Sequence, residues 1–466
     1  MIRLTLTSLA LLVCSMASAQ FTTAGDGTTY SIDMLAHIGD AGIVVYEAED
    51  TPGYRLTYTL TKSITVAAGD KFKMDDGVTV HFDHDVTLAI EGEADFQLTA
   101  GSCFDGVSGV YDGDVLGSAV RIKSTTTTEI ENCTFYYVGL ELMAEGATNV
   151  RHCNFFSHDG STAAAVYFIS AGAESTIENC YFEECRKAAI GSAANACQSL
   201  IIKDCQLVKN SRANNNVPQI NITAASHLEI TDCEVAGDPE DVTANSMVGG
   251  IGISNFYGYA DTNVSISGCN IAWNRYGIGT VGPVSNLRIE NCTLTDNNHE
   301  QNPMNGGSGI SLYDPYQQTQ AVIAGNHIEG SLWGITIIGC KDVNLGQPGN
   351  DGIDSPGGNV FVNNGNGGQL YDLYNNSTLT VYAQNNTWNV SEQNEEQIET
   401  VIFHKADDAS LGEVIYWPAA QPSALNPPSS TFSPQPSAIY DLQGRKIVDG
   451  QPLRGIYIIN GKKVVY

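Results

Sequence analysis

Seven cysteines, Cys133, Cys153, Cys180, Cys205, Cys233, Cys269 and Cys292, lie 20, 27, 25, 28, 36 and 23 residues apart, each in the same short frame. Ile130-Glu131-Asn132-Cys133-Thr134-Phe135 returns as Val150-Arg151-His152-Cys153-Asn154-Phe155 and, through four further copies, ends as Ile289-Glu290-Asn291-Cys292-Thr293-Leu294. Ile323-Ala324-Gly325-Asn326-His327-Ile328 keeps the frame with Asn in the place of Cys. Apolar and polar residues alternate on both sides of a tight corner, which reads as strand, corner, strand. A further short strand recurs between these units, as in Ala165-Val166-Tyr167-Phe168, Gly252-Ile253, Gly277-Ile278 and Gly334-Ile335-Thr336-Ile337. One such repeat cannot bury its own apolar face, so repeats must stack. Stacking at the inter-strand spacing of about 4.8 Å sets identical side chains over one another in ladders.

The cysteines therefore mark a repeat and not a set of bridges. Parallel thiols set one per coil do not converge on a zinc ion and pack as small hydrophobes. Cys185 and Cys197 lie on opposite sides of a corner and could form a bridge, but the eleven cysteines after residue 19 are an odd number, so at least one thiol stays free. All 36 asparagines fall after residue 131, where the repeat begins. Asn at a stacked corner accepts the left-handed backbone and bonds to its counterpart one coil away. The Asn-Cys corners, with the element Asn274-Arg275-Tyr276-Gly277-Ile278, resemble the right-handed parallel β-helix, or pectin-lyase-like, superfamily over about residues 55 to 390. The resemblance implies an all-β, single-stranded right-handed solenoid. It leaves function open, because lyases, hydrolases, adhesins and spacers share that scaffold.

The ends read differently from the middle. An apolar run over residues 4–13 followed by Ala17-Ser18-Ala19 reads as a signal peptide, residues 1–19, and implies a secreted or cell-surface protein. Anchoring through Cys14 as a lipoprotein is the alternative. No later stretch is long and apolar enough to span a bilayer. Residues 20–54, with a short capped helix over 29–35, are expected to cap the first coil. Residues 391–418 are expected to cap the last one with a helix over 395–404 and a strand, before a proline-rich linker at 419–436. Ile439-Tyr440-Asp441-Leu442-Gln443-Gly444 and Gly455-Ile456-Tyr457-Ile458-Ile459 in the tail, 437–466, resemble the end of a type IX secretion sorting domain, which implies outer-membrane secretion machinery as a partner. A small hairpin packing on the cap is the plainer reading.

Charge limits the ligands. With 22 basic against 52 acidic residues the chain carries −30, which rules out a nucleic-acid binder and disfavours an anionic membrane surface. Three kinds of site remain. Arg186, Lys187, Lys203, Lys209 and Arg212 gather five cations within 27 residues and would serve a polysaccharide lyase acting on a uronate polymer; side chains snorkelling from strands is the alternative. Asp351 and Asp354, with Asp105 and Asp112 to Asp114 earlier, offer oxygen ligands among glycines for Ca²⁺, or form ordinary turns. A polygalacturonase-like hydrolase is rejected, since Asp75-Asp76 has no matching His or Arg partners.

The aromatic residues form the third. Phe256, Tyr257 and Tyr259 follow one strand, and Tyr313 and Tyr316 follow its counterpart two coils on, about 10 Å away. Trp273, Tyr276 and Trp333 lie nearby in sequence. Aromatic faces beside amides and carboxylates suit sugar rings, although they equally suit covering an apolar flank. The expectation is a monomeric, surface-displayed binder of polysaccharide or glycan. A lyase and a spacer or adhesin with a protein partner stand as the alternatives.

Overall fold

The structure, a computed structural model, describes residues 20–47, residues 56–420 apart from short stretches at 108–109, 112–113, 116, 161, 171, 197–198, 241, 244–245 and 348–353, and the tail strands at 439–441, 456–459 and 462–465. Strands of two to seven residues dominate, joined by corners, and three such strands make a coil through most of the stack. The chain is a parallel β-helix. Its first face is a 14-stranded sheet beginning with Gln20–Thr22 and ending with Ile402–Phe403. The second and third faces are the strand and counter-strand of the cysteine frame, for example Ser175–Glu178 and Tyr181–Glu183, each paired in parallel with its successor.

The ladder runs past the expected limits. Gln20–Thr22 already pairs with Ser63–Thr65, so part of the N-terminal segment is coil and not cap. Helix Ile32–Ala36 caps beside it, its Met34 N–H held by Ser31 Oγ at 3.2 Å. At the other end the helix is Glu395–Glu399 only, and Ile402–Phe403 departs from the helical expectation by pairing with Leu373–Tyr374. The physical reason is burial: Ile402 extends the inward row Ile278, Ile310, Ile335, Leu373, and a helix there would have left that row's end open. The tail strands form a three-stranded antiparallel sheet of their own.

Inside the stack the ladders are continuous. Phe104, Phe135, Phe155 and Phe182 lie face to face with centroids 4.7–4.8 Å apart, the coil spacing. All seven repeat cysteines are buried free thiols. Each from Cys153 onward points its thiol at a carbonyl of the coil before it, as Cys205 Sγ does to Ile177 O at 3.7 Å. Cys185 is free as well, and Cys197 lies outside the described residues. The residue before each thiol is left-handed: Asn132, His152, Asn179, Asp204, Asp232, Gly268 and Asn291 have φ between 51° and 64°. That explains the residue types at this position, because Asn, Asp, His and glycine enter the left-handed region more readily than other residues.

After Cys292 the same corner is built from amides. Asn326 Oδ1 accepts the Cys292 N–H at 2.9 Å, Asn359 Oδ1 accepts Asn326 Nδ2 at 2.9 Å, and Asn386 Oδ1 accepts Asn359 Nδ2 at 2.9 Å. A second buried amide row runs through Gln219, Asn274 and Asn297 at the corner leading into the first face. Asn274 is fully buried in it. Its burial fixes where the next two residues, Arg275 and Tyr276, leave the corner.

Candidate functional site

The outer surface of the first face changes character along the stack. One outward row reads Arg121, Glu141, Tyr167, Gly191, Asn221, Gly252, Gly279, Ser311, Thr336 and Tyr374 in strict register. Charge at its start gives way to glycine and small hydroxyls, so the sheet surface is low from Asn221 to Thr336. Loops from three coils rise around this floor and enclose a cleft of about 550 Å³. Its walls carry Phe256, Tyr313, Trp333, Tyr374 and Met304, and Ser254, Ser311, Thr336, Asn221 and Asn376 supply polar groups.

Tyr276 lies across the floor because glycines make room for it. A Cβ at Gly249 would stand 2.1 Å from the Tyr276 ring, one at Gly279 2.8 Å from it, and one at Gly252 would meet Pro218 at 2.6 Å. Burial pushes the Tyr276 hydroxyl up to about 12, so at neutral pH it is a neutral phenol able to donate or accept. Arg275, the neighbouring charge, pulls the other way. The guanidinium ties two loops together: Nε donates to Asn305 O at 2.9 Å, Nη2 donates to the same oxygen, and Nη1 donates to Asn216 Oδ1. Trp333 fixes the same loop, its indole Nε1 donating to Pro303 O at 3.0 Å. No Asp or Glu lines the cleft among the described residues, and Arg275 is its only charged side chain.

Of the eight aromatic residues singled out in the sequence, the cleft gathers Phe256, Tyr276, Tyr313 and Trp333. Tyr313 sits on strand Ser308–Asp314 itself and not on the following loop, which places its ring over the sheet. Tyr257 and Tyr316 are exposed outside the lining, Tyr259 turns away to donate its hydroxyl to Asn195 O at 2.9 Å, and Trp273 occupies a left-handed corner. Tyr374 was not foreseen. Its signal was register, since it stands one coil on from Thr336 in the outward row and packs on Trp333 at 5.0 Å. Arg275 was visible only as part of the Asn-x-x-Gly-Ile element, with nothing in its spacing to mark it as the charge of a cleft.

The basic cluster is dispersed among ion pairs. Lys203 Nζ meets Glu178 at 2.9 Å, Lys209 meets Asp238 at 3.1 Å and Arg212 meets Glu184 at 3.7 Å. Lys203 and Glu178 belong to an alternating outward row, Glu131, Arg151, Glu178, Lys203, on the second face. The Lys203 contact holds the Glu178 carboxyl below its usual range. Lys187 is partly buried, and burial together with Arg186 lowers its ammonium. None of these five lines the cleft. Asp351 lies outside the described residues, Asp354 is exposed, and Asp105 is buried 3.4 Å from His81 Nδ1. Among the described residues no group of three or more His, Cys, Asp or Glu side chains is arranged to hold a metal ion. No helix among them is long and apolar enough to cross a membrane.

Comparison with known proteins agrees with this architecture. The family described as right handed beta helix region matches residues 76–235. Among solved structures, a single-mutant form of the periplasmic alginate epimerase AlgG aligns with a TM-score of 0.52 at 11% identity, covering 84% of this chain and 83% of that one. A double-mutant form of the same protein gives 0.52 at 11% identity over 85% and 84%. No curated protein matches the sequence. Likeness at this identity speaks to the fold alone, and the fold is that of a right-handed parallel β-helix.

Proposed function

We propose that the chain binds a polysaccharide or glycan in the cleft on the first face, as a binding protein and without catalysis. The observation that carries this reading is the convergence of Phe256, Tyr276, Tyr313 and Trp333 from separate coils onto one floor of glycine, serine and threonine. Aromatic side chains take the apolar C–H faces of sugar rings, and the hydroxyls and amides beside them take the sugar hydroxyls. The floor continues from coil to coil, so it suits an extended chain. A solved structure with the same fold belongs to a protein named for its action on alginate, a polysaccharide, which supports a glycan partner in kind. A lyase would need a free base beside the substrate, and the lysines of the cluster that meet carboxylates, Lys203 and Lys209, lie away from the cleft.

Affinity electrophoresis of the full chain through gels containing single polysaccharides tests the reading. At least one polymer is expected to retard the wild type, and Tyr313→Ala combined with Trp333→Ala is expected to abolish the retardation while leaving mobility in a polymer-free gel unchanged. Retardation by none of a broad panel would overturn it.

A further inference from the structure

We propose that the cleft selects glycans bearing an anionic substituent, and that Arg275 is the group that reads it. The inference rests on the glycan reading above and narrows it to a substrate class. Its basis is a local reversal of charge. The chain has 52 acidic residues against 22 basic ones, yet the lining of this cleft contains one cation and, among the described residues, no carboxylate.

The arginine of the cleft also differs from most of the other described arginines. Arg121, Arg151, Arg212 and Arg288 each meet a glutamate. Arg275 meets none among the described residues; its partners are the carbonyl of Asn305 and the side-chain oxygen of Asn216, both neutral. Arg186, which also meets no acid among the described residues, lies outside the cleft. Neutral partners hold a guanidinium in place without cancelling its charge. Three of its five N–H groups are engaged in those bonds, which leaves two for a ligand. The neighbouring phenol of Tyr276 remains neutral, so it adds a hydrogen bond without adding a negative charge.

A neutral sugar would offer this cation only hydroxyls. A carboxylate or a sulfate ester would offer a charge-assisted pair, roughly twice as strong as a neutral hydrogen bond and stronger again beside aromatic walls that displace water. Both groups present paired oxygens to the guanidinium fork, and the planar carboxylate matches it best. The negative charge of the rest of the surface then works as a filter. An anionic polymer is repelled elsewhere and is held only where the carboxylates are missing.

The test uses the full chain in affinity gels and in calorimetry with three probes: a polyuronate, a sulfated galactan and a neutral β-glucan. The wild type is expected to bind one of the anionic polymers at least tenfold more tightly than the neutral one, and the preferred anion separates carboxylate from sulfate. Arg275→Gln, which keeps an amide to meet Asn305 O, is expected to lose about tenfold in affinity for the anionic polymer and several-fold less than that for the neutral one. Arg275→Lys, which keeps the charge but not the fork, is expected to fall between them. Thermal unfolding of each variant guards against a collapsed loop, and rising salt is expected to weaken wild-type binding to the anionic probe alone. Equal wild-type binding of neutral and anionic polymers, unchanged in Arg275→Gln, would overturn the inference while leaving the glycan reading intact. Binding of none of the three would overturn both.

Discussion

Two outward rows of the same stack use cations in opposite ways. On the second face, Glu131, Arg151, Glu178 and Lys203 alternate in sign from coil to coil, so each positive group is spent on the carboxylate above or below it. On the first face the corresponding row thins to glycine and serine, and the cation beside it, Arg275, is held by neutral oxygens. The difference teaches that clustering of basic residues in sequence is a poor guide to a binding site in a solenoid. Coil spacing brings such residues next to acids as readily as next to a ligand. What marks the site is a local absence of carboxylates on a floor low enough to admit one.

The largest expected effect sharpens the contrast between buried and solvated charge. Asp372, fully buried at the coil that follows Trp333, is pushed up to about 7 by burial, although Asn389 N–H at 2.7 Å and Asn364 Nδ2 at 3.3 Å both donate to it. In the unfolded chain it titrates near 4. The folded state therefore holds its proton more tightly, and the stability this provides is complete below about pH 4 and lost as pH rises to about 7. Full burial makes that difference up to about 4 kcal/mol, and Asp372→Asn should flatten this part of the pH profile in urea titrations run across that range. Glu178 has the opposite sign: Lys203 lowers it, so its small contribution is present at neutral pH and disappears on acidification.

Trp333→Ala comes next. It removes a cleft wall and the anchor of the loop at Pro303, and should cost about 2 kcal/mol of glycan binding, roughly 30-fold in affinity, by calorimetry. Retained affinity would place the ligand elsewhere. The smallest effect tests the other side of the comparison. Lys203→Ala should leave glycan affinity unchanged and shift the melting temperature by under about 2 °C, because an exposed ion pair contributes little. A loss of binding in this variant would return the basic cluster to consideration.

The fold was legible in the sequence because a β-helix writes one coil many times. The frame around Cys133 to Cys292 gave strand, corner and face, and the polar or glycine residue before each thiol already carried the left-handed turn. Repetition fails at the ends, where Ile402 has the spacing of a helix's last turn but pairs with Leu373 in the first face. The site was half legible. Tyr276, Tyr313 and Trp333 converge because they lie on or just before matching strands, whereas Phe256, Tyr257, Tyr259 and Tyr316 sit on loops whose direction no period encodes. Arg275 was hidden for a different reason: its significance lies in what does not surround it, and a sequence does not display an empty neighbourhood.

Hydrogen–deuterium exchange of the full chain, with and without an oligouronate or a sulfated galactan oligosaccharide, tests the central claim most directly. Protection is predicted in segments 252–257, 275–281, 303–313 and 333–338, with the 131–203 strands of the second face unchanged. Protection confined to that second face, or none anywhere at a concentration that saturates binding, would contradict the account.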